Sequence, residues 1–215
     1  MEITKADFAN FNLDNYTFKY LKSVLEPEEV QDLKNRYQKH WQHFKDLQLA
    51  TRCQLTLPLT APKVESWTNG WNLRTHFWCP YRQLQKETSA PCLAVQLNCK
   101  NLRAYLMFQH YRSENSPVKP QDYNALLDVL KETVASWEDR AHYFIWTNQD
   151  SELADYWPLL DYLANPQLQA QLQGKLGPDT TFQVGWLLEK SDAQDIEVTL
   201  AQHLTQLFQL YQQLP

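Results

Sequence analysis

Glycine is scarce in this chain, with four in 215 residues. Loops that cradle phosphate need backbone able to approach an anion with no side chain in the way, and neither GxGxxG nor GxxxxGK[ST] occurs. That argues against nucleotide binding through such a loop. A GxSxG elbow is also missing, and with it the usual setting of a serine nucleophile. No apolar run approaches the ~18 residues that a membrane span needs, and MEITKADFANF lacks the basic-then-apolar order of a secretory signal. The net charge of −5 gives no general attraction to nucleic acid or anionic lipid. The expectation is a cytoplasmic protein with no membrane partner, and with nucleic acid disfavoured. Four cysteines, Cys53, Cys79, Cys92 and Cys99, include no C-x-x-C pair, and in a cytoplasm they stay reduced. His76 and Cys79, in HFWC, point to opposite faces of an extended chain and cannot ligate one metal together. Neither a metal nor a cofactor is expected.

Aromatics, by contrast, are abundant: eight Trp, eleven Tyr and nine Phe. At this length folding removes roughly 70% of the extended chain's surface from water, enough for a core without covalent staples. No repeat and no linker divides the sequence, so residues 1–215 are expected to form one domain.

The organising stretch is 91–112, PCLAVQLNCKNLRAYLMFQHYR, read as a β-hairpin. Leu93, Val95 and Leu97 share one phase of a period of two. Asn98 to Asn101 supply turn chemistry, and Leu102, Ala104, Leu106 and Phe108 resume the alternation. Cys92, Ala94, Tyr105, Met107 and Tyr111 are apolar in the opposite phase, which places the hairpin inside a sheet covered on both faces.

Around it, Val30, Leu33, Tyr37, Trp41, Phe44 and Leu47 predict an amphipathic helix over 27–48, opened by Pro27 with Glu28 and Glu29 at its positive end. Tyr16 to Leu25 is ambiguous between helix and strand. Cys53 to Leu59 reads as a short strand near an edge, and Asn72 to Cys79 as another, with Arg74, His76 and Trp78 on one side. Gln121 to Trp137 predicts a helix and His142 to Thr147 a strand. Ser151 is read as the cap of a helix that Pro158 kinks or ends. Asn165 and Pro166 start a short helix stopped near Gly174. Phe182, Val184, Trp186 and Leu188 alternate as a strand, and Asp195 to Tyr211 closes the chain as a helix. The fold class expected is α+β, with a largely antiparallel sheet packed against several helices.

The order of ITKADFANF, the paired strands PCLAVQLNCKNLRAYLMFQHY, and FQVGWLLEK leading to a helix that ends QLFQLY resembles the YktB-like family of small bacterial proteins, a domain of unknown function. Where that family carries Pro-His-Phe before its hairpin, this chain has Pro91, Cys92 and Leu93. The resemblance implies a compact α+β cytoplasmic protein. It transfers no functional residue.

Chemistry is expected where Arg and aromatics share a strand phase. Arg74, His76 and Trp78 lie on one side of their strand. Arg103, Tyr105, Gln109 and Tyr111 lie on one side of the hairpin, with His110 near its end. If these faces coincide, Arg74, His76, Trp78, Arg103, Tyr105 and His110 line a concavity suited to a small anionic or planar ligand, the guanidinium clamping and the rings stacking. The same residues also fit cross-strand pairing on a half-solvated sheet. Two alternatives stay open: an enzyme using His76 or His110 as general acid/base, and a protein-interaction module.

Overall fold

The structure, a computed structural model, describes residues 1–150 and 156–215. Thr4 opens helix α1 (Lys5–Ala9), its backbone N–H and its hydroxyl both donating to the Asp7 carboxylate. The ambiguous segment is helical, α2 (Phe18–Val24), because the Thr17 hydroxyl accepts from the Tyr20 N–H and supplies a cap. Helix α3 (Pro27–Gln54) runs 28 residues and buries Val30, Leu33, Tyr37, Phe44 and Leu47 along one stripe.

The expected strand at Cys53 to Leu59 is corrected by this helix, which continues through Cys53 and Gln54. Three alternating apolar residues fit the last turn of a helix as well as a strand. Pro58 cannot donate to a ladder, and Arg52 ties the following turn back by donating to the carbonyls of Leu55 and Leu59 at 2.9 and 3.0 Å.

A small hairpin follows, β1 (Thr68–Asn69) and β2 (Asn72–Leu73), turning at Gly70 with φ +59°. The expected strand Asn72 to Cys79 is therefore two pieces. Its first two residues belong to this hairpin, and strand β3 (Phe77–Tyr81) starts only after Arg74, Thr75 and His76 have left the extended path. The Leu73 N–H donates to the Tyr16 carbonyl at 2.8 Å, which pulls the first piece away from the main sheet.

Strands β4 (Pro91–Leu97) and β5 (Asn101–Phe108) form the hairpin read from the sequence, their turn closed by Asn98 Oδ1 accepting from the N–H groups of Lys100 and Asn101. The helix expected over 121–137 is broken at Ala125 and Leu126 into α4 (Pro120–Asn124) and α5 (Leu127–Val134), which together keep the predicted buried side of Tyr123, Leu126, Leu130, Val134 and Trp137. Strand β6 (Tyr143–Thr147) follows. The cap assigned to Ser151 lies outside the described residues; Trp157–Pro158 pairs with β6 as β7, and Pro158 precedes α6 (Leu159–Ala164). Helix α7 (Pro166–Lys175), capped by Asn165, strand β8 (Phe182–Glu189) and helix α8 (Ile196–Tyr211) complete the chain.

The main sheet has six strands in the order β3-β4-β5-β8-β6-β7, each described pairing antiparallel. This is an α+β fold. Alternation gives the sheet two unlike faces. One, carrying Val95, Ala104, Leu106, Ile145 and Val184, meets α3 and α8 in a core that runs from Ile3 to Leu214. The other carries Trp78, Cys92, Ala94, Tyr105, Trp146 and Leu187 in a smaller cluster. Across that second face, β8 comes close to β5 only because Gly185 has no side chain: a Cβ there would lie 2.4 Å from Tyr105 Cβ.

Candidate functional site

The register of the sheet decides which side chains meet on the second face. Trp78 on β3 pairs with Gln96 on β4, and Gln96 with Arg103 on β5, so these three form one row across the strands. Tyr105, two residues along β5, stands in the next row on the same side. The row is joined by hydrogen bonds. The Trp78 indole N–H donates to the Tyr105 hydroxyl at 3.0 Å, and that hydroxyl donates to Gln96 Oε1 at 3.1 Å. The same oxygen accepts from Arg103 Nη2 at 2.9 Å. Trp146 on β6 donates its indole N–H to Gln183 Oε1 at 2.7 Å.

Arg103 is a cation at 1% exposure, held under an aromatic layer. Its guanidinium lies 4.7 Å from the Tyr105 ring centre and 5.4 Å from that of Trp146. A buried positive charge is tolerated when rings and polar groups replace its hydration, and a polar network of this kind fixes the orientation of each member.

Above this floor is a concavity of about 330 Å³. Trp78, Gln96, Tyr105, Met107 and Gln183 line it from the strands, and His76, His110 and Tyr111 from the rim. His110 arrives from the 3-10 turn His110–Asn115 that follows β5. Its Nε2 is 3.1 Å from the Thr181 hydroxyl and its ring packs 5.0 Å from that of Phe108. Burial lowers its pKa, with Asp179 opposing the effect, so the imidazole is mainly neutral at pH 7. His76 Nδ1 sits 3.1 Å from the Thr75 hydroxyl.

The six residues singled out from the sequence thus divide three ways. His76, Trp78, Tyr105 and His110 line this concavity together. Arg103 lies behind its floor, bonded to the lining residue Gln96. Arg74 lines a different cleft; its Nη1 pairs with Glu65 Oε2 at 2.8 Å and its Nε–H donates to the Ser66 carbonyl. The two arginines do not converge, because Arg74 lies before β3 rather than on it. Gln96 and Gln183 were missed. Their signal was present, since each is a polar residue in the opposite phase to an apolar strand set. Met107 lies on the predicted phase and also lines the concavity, outside the six.

The arrangement offers aromatic faces, amide donors and acceptors, two imidazoles and a recessed cation. Among the described residues, no three of His, Cys, Asp and Glu are grouped to hold a metal ion. Cys92, on the same sheet face, has its thiol pushed up to about 11 by burial and is no nucleophile at neutral pH.

A protein-family model matches residues 3–214 of the chain. A Haemophilus influenzae protein described as an uncharacterized protein is 31% identical over 156 residues, which is 73% of this chain and 72% of that protein.

Proposed function

The chain belongs to the protein family that spans its residues 3–214, with a Haemophilus influenzae relative, and from that premise we propose that it binds a small planar ligand on the second face of its sheet. The observation that carries this reading is the joined row of Trp78, Tyr105, Gln96 and Arg103 beneath an open concavity. Aromatic groups supply stacking surface at low entropic cost, and a few fixed polar groups give orientation. Nucleic acid is disfavoured, since one recessed arginine does not track a phosphate backbone.

That the family is the YktB-like one is part of the same reading, supported by the order of paired strands and closing helix along the chain. So are a bacterial cytoplasmic setting and a single unit of folding over residues 1–215. Among the described residues no helix is long and apolar enough to cross a membrane. A rival reading, catalysis with His76 or His110 as general acid/base, draws on both imidazoles lining one concavity.

A thermal-shift screen of planar heteroaromatic carboxylates and amides tests the proposal. A ligand at 100 times its Kd adds about 2.7 kcal/mol of stability. Tyr105→Phe removes the hydroxyl that joins Trp78 to Gln96 and should weaken any hit about tenfold. Silence across the library, or hits indifferent to Tyr105→Phe and Gln183→Ala, would overturn it. Turnover of a hit, lost in His110→Gln, would establish the catalytic reading instead.

A further inference from the structure

The polar atoms around the concavity on the second sheet face divide unequally once each hydrogen bond is assigned. Gln96 Oε1 accepts from Tyr105 and Arg103, and the Tyr105 hydroxyl accepts from Trp78. Asn148 is used at both ends, its Oδ1 accepting from the Thr181 N–H at 2.7 Å and its Nδ2 donating to the Asp179 carbonyl at 3.1 Å. Glu65, the one carboxylate among the described lining residues, is paired with Arg74. The side-chain oxygens of these residues are already engaged.

Two donors are not. Gln109 is 5% exposed and Gln183 6% exposed, and both line the concavity. Gln183 Oε1 accepts from the Trp146 indole at 2.7 Å, and Gln109 Oε1 accepts from the Arg82 guanidinium, itself anchored on the Ser89 carbonyl at 2.7 Å. An indole N–H and a guanidinium only donate, so each amide turns its oxygen to that partner and its NH₂ group the other way, with no choice of flip. Neither NH₂ group has an acceptor among the described residues. A buried donor left unmet is costly, and the concavity is the open space from which an acceptor approaches. His110 does not tip the balance, since its Nδ1 donates or accepts according to the tautomer that the Thr181 hydroxyl selects at Nε2.

We propose that the ligand of this concavity is a planar ring whose buried edge carries hydrogen-bond acceptors and no donor, a ring nitrogen or a carbonyl or carboxylate oxygen, received by the NH₂ groups of Gln109 and Gln183. This rests on ligand binding at the second sheet face and adds the polarity that the ligand has there. An edge bearing N–H would meet two further donors and leave its own hydrogen unpaired on burial, which is how a site built for one hydrogen-bond pattern rejects a molecule of the same shape. Quinoline and indole are a matched pair for this purpose: both are flat bicycles, one with a bare ring nitrogen and the other with an N–H.

The test is a ¹H–¹⁵N titration of the full chain with quinoline, 2-naphthoate and indole, following the side-chain NH₂ signals of Gln109 and Gln183. Quinoline and naphthoate should move both signals and bind about tenfold or more tightly than indole. Gln183→Glu keeps an oxygen for the Trp146 indole and puts an acceptor where the donor was, and Gln109→Glu does the same opposite Arg82. Each should weaken quinoline and naphthoate about tenfold and shift the preference towards indole. Circular dichroism shows whether each variant keeps its fold, and the wild-type preference decides the matter if a variant does not. Indole binding as tightly as quinoline to the wild type, or a preference unchanged in both folded variants, overturns the assignment of donors while leaving ligand binding on the sheet in place. If none of the three binds, this inference falls, and the wider thermal-shift screen decides the binding reading by itself.

Discussion

Asp7 concentrates the charge chemistry of the helical layer on one carboxylate. Its Oδ1 accepts from His40 Nδ1 at 2.8 Å and His43 Nδ1 at 3.1 Å, and its Oδ2 from the Thr4 N–H and hydroxyl. Burial alone would raise its pKa, but these donors outweigh burial and hold the carboxyl far below the usual range. The hydrogen bond to Asp7 in turn raises His43. The signs then follow. Asp7, depressed when folded, contributes stability that is full above about pH 4 and lost as pH falls further. His43, raised when folded, contributes stability that is full below about pH 6.5 and lost as pH climbs through its folded value. His203, buried against Trp186 and lowered to about 4, costs stability as pH falls from about 6.5 towards that value. Asp7→Asn should lower the His43 pKa in an NMR titration and destabilise the chain by about 1–3 kcal/mol; an unmoved His43 would refute the pairing. The meeting of Asp7 with His40 and His43 was not legible in the sequence. Residues 7, 40 and 43 meet only because α1 folds onto α3, whereas Trp78 and Tyr105 were readable because strand phase alone sets their side of the sheet. His110 reaches the site from a turn, where phase carries no information.

At the scale of elements, two glycines predict opposite outcomes. Gly185 lies on β8 against β5, and a Cβ would fall 2.4 Å from Tyr105 Cβ and 2.5 Å from the Ala104 carbonyl oxygen. Gly185→Ala should therefore destabilise by about 1–3 kcal/mol through overpacking. Gly174, within α7, has nothing within 4 Å of its would-be Cβ. Gly174→Ala should stabilise by roughly 0.5–1 kcal/mol. Urea denaturation of the two variants checks both signs. The β4–β5 hairpin was readable because apolar residues fill both phases around an Asn-bounded turn. The end of α3 was not, since Cys53, Leu55 and Leu57 alternate over too few residues to separate strand from helix. The break at Arg74 to His76 was hidden for a related reason: it depends on Tyr16 accepting from Leu73, a contact between distant segments.

For the molecule as a whole, the first and last elements share one core. Ile3 bridges Ala193 ahead of α8, the N-terminal amine pairs with Glu197, and Tyr211 donates its hydroxyl to the Pro91 carbonyl at 3.1 Å in the central hairpin. A fold closed in this way should lose its structure in one transition, with the amides of β4, β5 and β8 exchanging last. Two separate transitions by calorimetry would show instead that the chain divides. One sheet face is given over to α3 and α8, and the other keeps a polar, aromatic floor with a recessed cation. The most direct measurement is an indole ¹H–¹⁵N titration with the best planar ligand. Trp78 and Trp146 should shift together at saturation while Trp71 stays still. A ligand that binds without moving Trp78 or Trp146 would contradict the placement of the site on the second face of the sheet.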